Sequence, residues 1–343
     1  MNEKFDFSTL PSVLLPNGER RVKRIAYLAE VRNRALRPLD DATLRNTRFD
    51  KLLYLNDVIF NPIDAAQLLF STNIAEDGRA NYRSACAVDF INPFKFYDTF
   101  ATRDMMGNNI GLPFFPWFSN REIGYSRKDV IAQKDAVRVR SCWGGMVAFE
   151  AKWFQTDGVV DSTSVDADSL DVYDPENIPS VPAEFDLNGQ QPLRFRYESE
   201  LFWESSECCL IQADLQSRVG DIHSSDTGIY INPFVRVAYD EHTLGWLSLT
   251  RRFERLYSVV HHVLNVLLGL PHQKEREEGE VYATTKEPIE SSDEATTVDM
   301  QQRTHDVQHV GKGDSFCSSR KLLVLDGFPP KDGSHWYKIP APW

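Results

Sequence analysis

The residues of this chain best suited to chemistry stand where apolar runs end. In FDKLLYLNDVIF, residues 49–60, the run Leu52–Leu55 stops at Asn56 and Asp57. This is the pattern of a strand buried on both faces that delivers an acid to its carboxyl end, the edge where open α/β sheets place their ligands. A carboxylate there can hold a divalent cation against a diphosphate, and the cation offsets charge on a departing group. An ordinary Asn-Asp turn after a buried strand fits the same residues. YRSACAVDF reads as a second such strand, finishing at Asp89, and INPFKFYDTFATRDMMGNNIGLPFFPWFS then sets Asp98, Arg103 and Asp104 among Phe, Trp, Pro and Gly. Aromatic faces beside carboxylates suit sugar rings, which offer C–H faces for stacking and hydroxyls for hydrogen bonding. A packed loop whose aromatics fill a core is the alternative.

Three later stretches add candidates. In VRVRSCWGGMVAFEAKWF, Gly144 and Gly145 follow Trp143; paired glycines let a ligand approach the backbone, or mark a bulge or tight turn. In FRYESELFWESSECCLIQADL, Glu200, Glu204 and Glu207 fall at helical spacing. One helix would then point several carboxylates into a cleft, as a base or to orient an acceptor hydroxyl; near a helix start they would equally face water and favour its dipole. Asp214 shares that ambiguity. GIYINPFVRVAYD reads as a strand interrupted by Asn232 and Pro233, with Arg236 either a phosphate contact or a solvated side chain.

The elements that must position these groups alternate. RVKRIAYLAEVRNRALRPL predicts a helix that exits at Pro38 and projects Arg32 and Asn33, and NPIDAAQLLFS predicts another that starts at Asn61 or Pro62. Helix, strand, helix, strand is the α/β order. From Arg252 to Gly269, Phe253, Leu256, Tyr257, Val260, Val263, Leu264, Leu267 and Leu268 predict an amphipathic helix, with His261 and His262 on its polar face. Residues 157–186 hold nine acids and no Lys or Arg, the composition of a solvated, mobile loop. Residues 1–271 read as the main domain, 272–313 as a disordered linker or insertion, and 314–343 as a segment whose strand Leu322–Leu325 packs back on it.

Composition bounds the function. A chain of 343 residues, 42% hydrophobic and 12% aromatic, can bury a sizeable core. A formal charge of -12 argues against a nucleic-acid backbone or an anionic membrane surface as the main partner, so a phosphate-bearing ligand needs local Arg, Lys or metal. The five cysteines include no C-x-x-C spacing, which indicates neither a zinc site nor a disulfide framework and leaves Cys208 and Cys209 as small core residues. No secretory signal or membrane span is visible, and the apolar run Val259–Leu270 is too short to cross a bilayer.

The succession RIAYLAEVRNRALRPL, FDKLLYLNDVIFNP, ACAVDF, FYDTFATRD, VRSCWGGMVAFEA, SECCLIQADL and YINPFVRVAY resembles the fungal capsule-associated α-1,3-mannosyltransferase family over most of residues 24–240. The resemblance implies a GT-A-like mixed sheet flanked by helices. It also implies transfer of mannose, with retention, from GDP-mannose to a mannose-containing glycan acceptor, with Mn²⁺ or Mg²⁺. By it, Asp57 takes the metal-diphosphate role. Arg32, Asn33 and Asp89 line the donor and acceptor side, together with Asp98 and Arg103 near the chemistry, and Trp143, Gly144 and Gly145 shape the sugar pocket. Glu207 is the carboxylate nearest the reacting centre, and Asn232 and Arg236 close the site.

Two departures accompany it. Family members carry a membrane anchor and a further α/β segment before the RIAYLAEVRN-like helix, so the first strands of the nucleotide-binding half read as missing here, and Golgi residence is implied by relatives alone. The motif also offers one acid where many relatives of the broader fold have a paired Asp-x-Asp. The expectation is therefore a metal-dependent mannosyltransferase of the secretory pathway, with a non-catalytic glycan-binding or partner subunit as the alternative. A hydrolase using Glu204 and Glu207 is disfavoured, because residues three apart on one helix lack opposing faces for acid and base.

Overall fold

The computed structural model describes residues 10–15, 17–44, 47–121, 123–155, 192–198, 204–220, 224–271, 279, 281–288, 304–310, 317–319, 321–327 and 335–340. In chain order these form β1 (Ser12–Leu14), β2 (Arg20–Val22), α1 (Arg24–Asp40), β3 (Lys51–Leu55), α2 (Pro62–Ser71), β4 (Ser84–Asn92), β5 (Lys95–Phe96), α3 (Tyr125–Ile131), β6 (Val137–Arg138) and β7 (Met146–Glu150). There follow β8 (Glu204–Ser205), α4 (Glu207–Val219), β9 (Ile229–Ala238), α5 (Glu241–Arg251), α6 (Glu254–Leu268), β10 (Val281–Pro288), β11 (Thr304–Val310), β12 (Ser318–Ser319), β13 (Lys321–Leu325) and β14 (Trp336–Pro340). The expected mixed α/β architecture is present: a sheet in the order β3-β7-β4-β9-β6, with β5 also on β4, flanked by helices.

β4 is the spine of this sheet. It pairs antiparallel with β7 and parallel with β9, and its first seven residues are buried. Cys86, Val88 and Phe90 join one apolar layer, with Phe149, Ile211 and Leu215, while Ala85 and Ala87 join a second, with Leu68, Met146 and Val237. Alternate residues point to opposite faces, so a near-continuous apolar run is what burial on both sides demands. β3 does not meet that expectation. It lies at the sheet margin, antiparallel to β7, and Leu55 is 46% exposed. Since β7 is antiparallel to both β3 and β4, and β9 is parallel to β4, the carboxyl ends of β3, β4 and β9 share one edge.

The interruption read at Asn232 and Pro233 is a bulge. Cys86 pairs with Ile231 and Val88 with Arg236, so β9 advances further than β4 between those pairs. α2 starts where expected, with Asn61 accepting a hydrogen bond from Ile63 N and Pro62 in the first turn. α1 continues two residues past Pro38, to Asp40, rather than ending there; the proline lies in the last turn, where only one intrahelical hydrogen bond is lost to it.

Several expectations are overturned. Cys86 is joined to Cys142 and Cys209 to Cys317, leaving Cys208 buried and reduced; the partners come from distant segments, which spacing along the chain cannot reveal. Glu204 is not on a helix with Glu207. Glu204–Ser205 ladders with β12, and α4 begins at Glu207 behind Ser206, whose hydroxyl accepts from Cys208 N. Glu200 lies outside the described residues, as does the acidic stretch 157–186. Asp214 is buried and takes Arg196 through both carboxylate oxygens at 2.9–3.2 Å, clamping residues 192–198 onto α4. Inside the segment whose composition pointed to disorder, β10 and β11 pair as an antiparallel ribbon. β13 pairs with β14, and its Val324 bridges Lys23 at the entry to α1.

α6 is turned over relative to its sequence reading. Glu254, His261 and Asn265 face inward, whereas Leu256, Val259, Val263 and Leu267 face out. Glu254 receives Arg236 Nη2 at 2.7 and 2.9 Å. His261 Nδ1 lies 2.8 Å from Arg127 Nη1, and burial pushes its pKa down to about 4, so the ring is neutral and accepts there. Buried cations on the domain's surface layer thus decide which side of the helix packs. Removing one partner of such a pair leaves an uncompensated charge, at a cost of about 3–5 kcal/mol. Glu254→Met is predicted to lose stability on that scale in urea unfolding, and the double variant Glu254→Met with Arg236→Met to recover most of it.

Candidate active site

The shared carboxyl edge of β3, β4 and β9 gathers three of the acids singled out above, Asp57, Asp89 and Asp98. Beyond β3, Asn56 N donates to Gly145 O at 2.9 Å, and Ile59 exchanges backbone hydrogen bonds with Ala238 at the end of β9. Asp57 is held between these two anchors as an exposed carboxylate on a short turn. Tyr239, the next residue after β9, feels the charges of Asp89, Asp98 and Asp57, and its phenol is pushed well above its ordinary range by burial first and those acids second.

Asp89 and Asp98 form the centre. Asp98 N donates to Asp89 Oδ1 at 3.0 Å, and Tyr239 Oη donates to Asp89 Oδ2 at 2.8 Å. Asp98 in turn accepts from Ala101 N through Oδ1 and from Gly144 N through Oδ2, each at 3.1 Å. Burial raises the pKa of both carboxyls, while the nearby Arg103 and Arg32 guanidinia favour the charged form of Asp98. Burial, and then the charge of Asp98, pushes the Asp89 pKa up to about 7, so the two neighbouring carboxyls titrate as a pair, above the ordinary carboxylate range.

The glycines serve this geometry differently from the sequence reading. Gly144 and Gly145 have φ of +62° and +67°. A Cβ on Gly144 would collide with the Ala87 carbonyl oxygen, and one on Gly145 would come within 2.5 Å of Val58 Cγ1. The space that glycine frees is filled by β4 and by the turn carrying Asp57, so these residues seat the acids rather than admit a ligand. Trp143 is likewise buried, among Tyr54, Phe149 and Phe195.

Arg32 stacks on Trp143, with its guanidinium carbon 4.2 Å from the ring centroid, and forms an ion pair with the buried Glu207. Glu207 thus acts through Arg32. Asn33, one residue along α1, donates to Phe195 O and accepts from Phe195 N, both at 2.8 Å, and so fixes the backbone of residues 192–198. Arg103 is buried and donates to the Phe100 and Thr102 carbonyls at 2.7 and 2.8 Å, bracing the loop that carries Asp98. Asn232 donates to Thr72 Oγ1 at 2.9 Å, which ties the β9 bulge to the end of α2. Arg236 is engaged by Glu254 and is not presented as a phosphate contact. The structure brings together Asp57, Asp89, Asp98, Arg103, Arg32 and Glu207, and gives Asn33, Asn232 and Arg236 packing roles.

Tyr239 is the member of the cluster that sequence reading missed. Its signal was its place, directly after a strand parallel to the one carrying Asp89. Tyr97 was missed in the same way; its ring meets that of Tyr239 edge-on at 4.8 Å and is 48% exposed, an aromatic surface at the mouth of the cluster.

The shifted carboxyl has a thermodynamic consequence. A folded-state pKa raised from 3.8 to about 7 contributes stability that is complete below the ordinary value and is lost as pH rises through about 7. Asn in place of Asp89 can still accept from Asp98 N through its amide oxygen and can donate to Tyr239 Oη through its amide nitrogen, without titrating. The stability difference between the wild type and Asp89→Asn, measured by urea unfolding at successive pH values, should shift against the wild type between pH of about 4 and about 7. A pH-independent difference would show that Asp89 is ionised throughout.

Comparison with known proteins agrees with the motif order. The family model described as cryptococcal mannosyltransferase 1 matches residues 1–214. That span includes Asp57, the Asp89–Asp98 pair, the Gly144–Gly145 turn and Glu207; Tyr239 lies beyond it. No curated protein and no solved structure gives a match. The chain belongs to the cryptococcal mannosyltransferase 1 family.

Proposed function

We propose that this glycosyltransferase moves mannose from GDP-mannose to a mannose-containing glycan acceptor, forming an α-1,3 linkage with retention of configuration. The observation that carries the reading is the meeting, at one sheet edge, of the exposed Asp57 with the buried Asp89–Asp98–Tyr239 network. Family membership supports the sugar chemistry, and the edge is where a sheet of this kind offers room to a nucleotide.

The roles follow from environment. Asp57, unpaired by any described residue and open to solvent, is the candidate ligand of Mn²⁺ or Mg²⁺. No group of three or more His, Cys, Asp or Glu suited to a metal occurs among the described residues. A cation held by one carboxylate, with the remaining positions taken by water and donor phosphates, needs no such group. When bound, it would offset the negative charge on the GDP leaving group. Asp98, with the Arg103 and Arg32 guanidinia nearby, faces the same edge and suits hydrogen bonding to sugar hydroxyls, with Tyr97 as the stacking surface. Glu207 positions Arg32 and does not touch substrate. The two disulfides support residence in an oxidising compartment such as the secretory pathway; among the described residues no helix is long and apolar enough to cross a membrane.

Transfer and donor hydrolysis with GDP-mannose and Mn²⁺ test this reading. Asp57→Ala should lower the rate roughly a hundredfold, the scale of losing one electrostatic stabiliser of the transition state, while folding stability stays near that of the wild type. Equal rates would remove the metal role from Asp57. Calorimetric titration showing that the wild type binds mannan but not GDP with Mn²⁺ would instead assign the chain to glycan binding without transfer.

A further inference from the structure

α6 packs with its polar residues inward and its apolar residues outward. Leu256, Val259, Val266 and Leu267 are 70%, 69%, 66% and 74% exposed, and Val260 and Val263 share their face. At 100° per residue these six positions span one side of the helix, opposite Glu254, His261 and Asn265. The orientation is locked. Rolling α6 to bury its Val and Leu would strip Arg236 of its counter-ion Glu254 and Arg127 of His261, leaving these buried cations with hydrogen bonds only to the carbonyls of Pro233 and Phe118. Phe253, directly before α6, is exposed as well, and so is Phe94, which meets the Tyr257 ring edge-on at 6.2 Å. A contiguous apolar surface of this kind marks an interaction site.

Charge indicates what covers it. From His242 to Leu270 the only acid is Glu254, which is buried on Arg236, while Arg251, Arg252 and Arg255 cluster where α5 meets α6. Neither Arg252 nor Arg255 forms an ion pair with a described residue, and both are exposed. In a chain of net charge -12 this surface has the opposite sign from the whole. The argument from net charge against membranes therefore does not hold locally. A second copy would bring the same arginines to the interface with no acid to meet them, whereas anionic headgroups supply the missing charge above an apolar layer that accepts Val and Leu. The 15 residues of α6 are too few to span a bilayer but suffice to lie along one.

We propose that the outward face of α6, flanked by Arg251, Arg252 and Arg255, docks on the surface of an anionic lipid bilayer. α5 begins at Glu241, directly beyond Tyr239 and Asp240, so this contact would hold the carboxyl edge of the sheet close to the membrane.

Flotation of the full chain with vesicles tests the assignment. The wild type should float with phosphatidylcholine vesicles containing phosphatidylserine, should bind pure phosphatidylcholine far more weakly, and should be released by high salt. Val263→Glu with Leu267→Glu, and separately Arg252→Glu with Arg255→Glu, should each weaken binding by about tenfold or more, with thermal unfolding unchanged because all four side chains face outward. Hydrogen exchange of the wild type needs no variant: anionic vesicles should slow exchange of the α6 amides. Failure to bind anionic vesicles, or binding untouched by both double variants, overturns the proposal. So does a dimer in sedimentation that Val263→Glu with Leu267→Glu dissolves, which would show a second copy on this face.

Discussion

The site depends on one side chain that is anchored in three places at once. Asp98 accepts the amides of Ala101 and Gly144 through its two oxygens and gives its own amide to Asp89. Its loop, the glycine turn and the central strand are thereby fixed to one another. The two backbone N–H groups favour the charged form of Asp98 against the burial that opposes it, and the nearness of its carboxyl helps to raise the pKa of Asp89. Gly144 and Gly145 complete the arrangement because their positive φ lets the turn lie against Ala87 on one side and Val58 on the other. Asp57 is one residue from Val58, so the position of the exposed acid follows from the fit of a turn that carries no side chains.

The same logic of fixed charges extends beyond the site. Arg32 with Glu207, Arg196 with Asp214 and Arg236 with Glu254 are all buried or nearly so. The first joins α1 to α4, the second the segment 192–198 to α4, and the third β9 to α6. Pairs of this kind add little net stability compared with apolar packing, but they penalise every arrangement that separates them. They explain how α6 can settle with Leu and Val in solvent, an outcome that apolar burial alone opposes.

Much of this was legible in the residues, and the exceptions have physical causes. The helices at Arg24–Asp40 and Pro62–Ser71, and the strand that contains Asp89, follow from apolar periodicity with Asn and Pro at the expected helix entry. The edge bearing Asp57 was visible because the Leu52–Leu55 run ends in an acid. Its place at the sheet margin was not, because half-burial and full burial leave the same run of Leu and Tyr. The helix at Arg252–Gly269 was read with its faces exchanged, since an amphipathic pattern states that two faces differ but not which is covered. Arg236, Asn232 and Asn33 were placed at the site by type; their partners Glu254, Thr72 and Phe195 are distant in the chain, and only the fold brings them together. The disulfides escaped for the same reason, and Tyr239 because a phenol carries no motif of its own.

The central claim is that the carboxyl edge of β3, β4 and β9 receives a cation and a nucleoside diphosphate through Asp57. Anomalous diffraction from crystals of the chain soaked with Mn²⁺ and GDP tests it most directly. The account predicts a manganese peak in direct contact with the Asp57 carboxylate, with the diphosphate on the same side of the sheet. A peak elsewhere on the chain, or GDP ordered at a different edge, would contradict it.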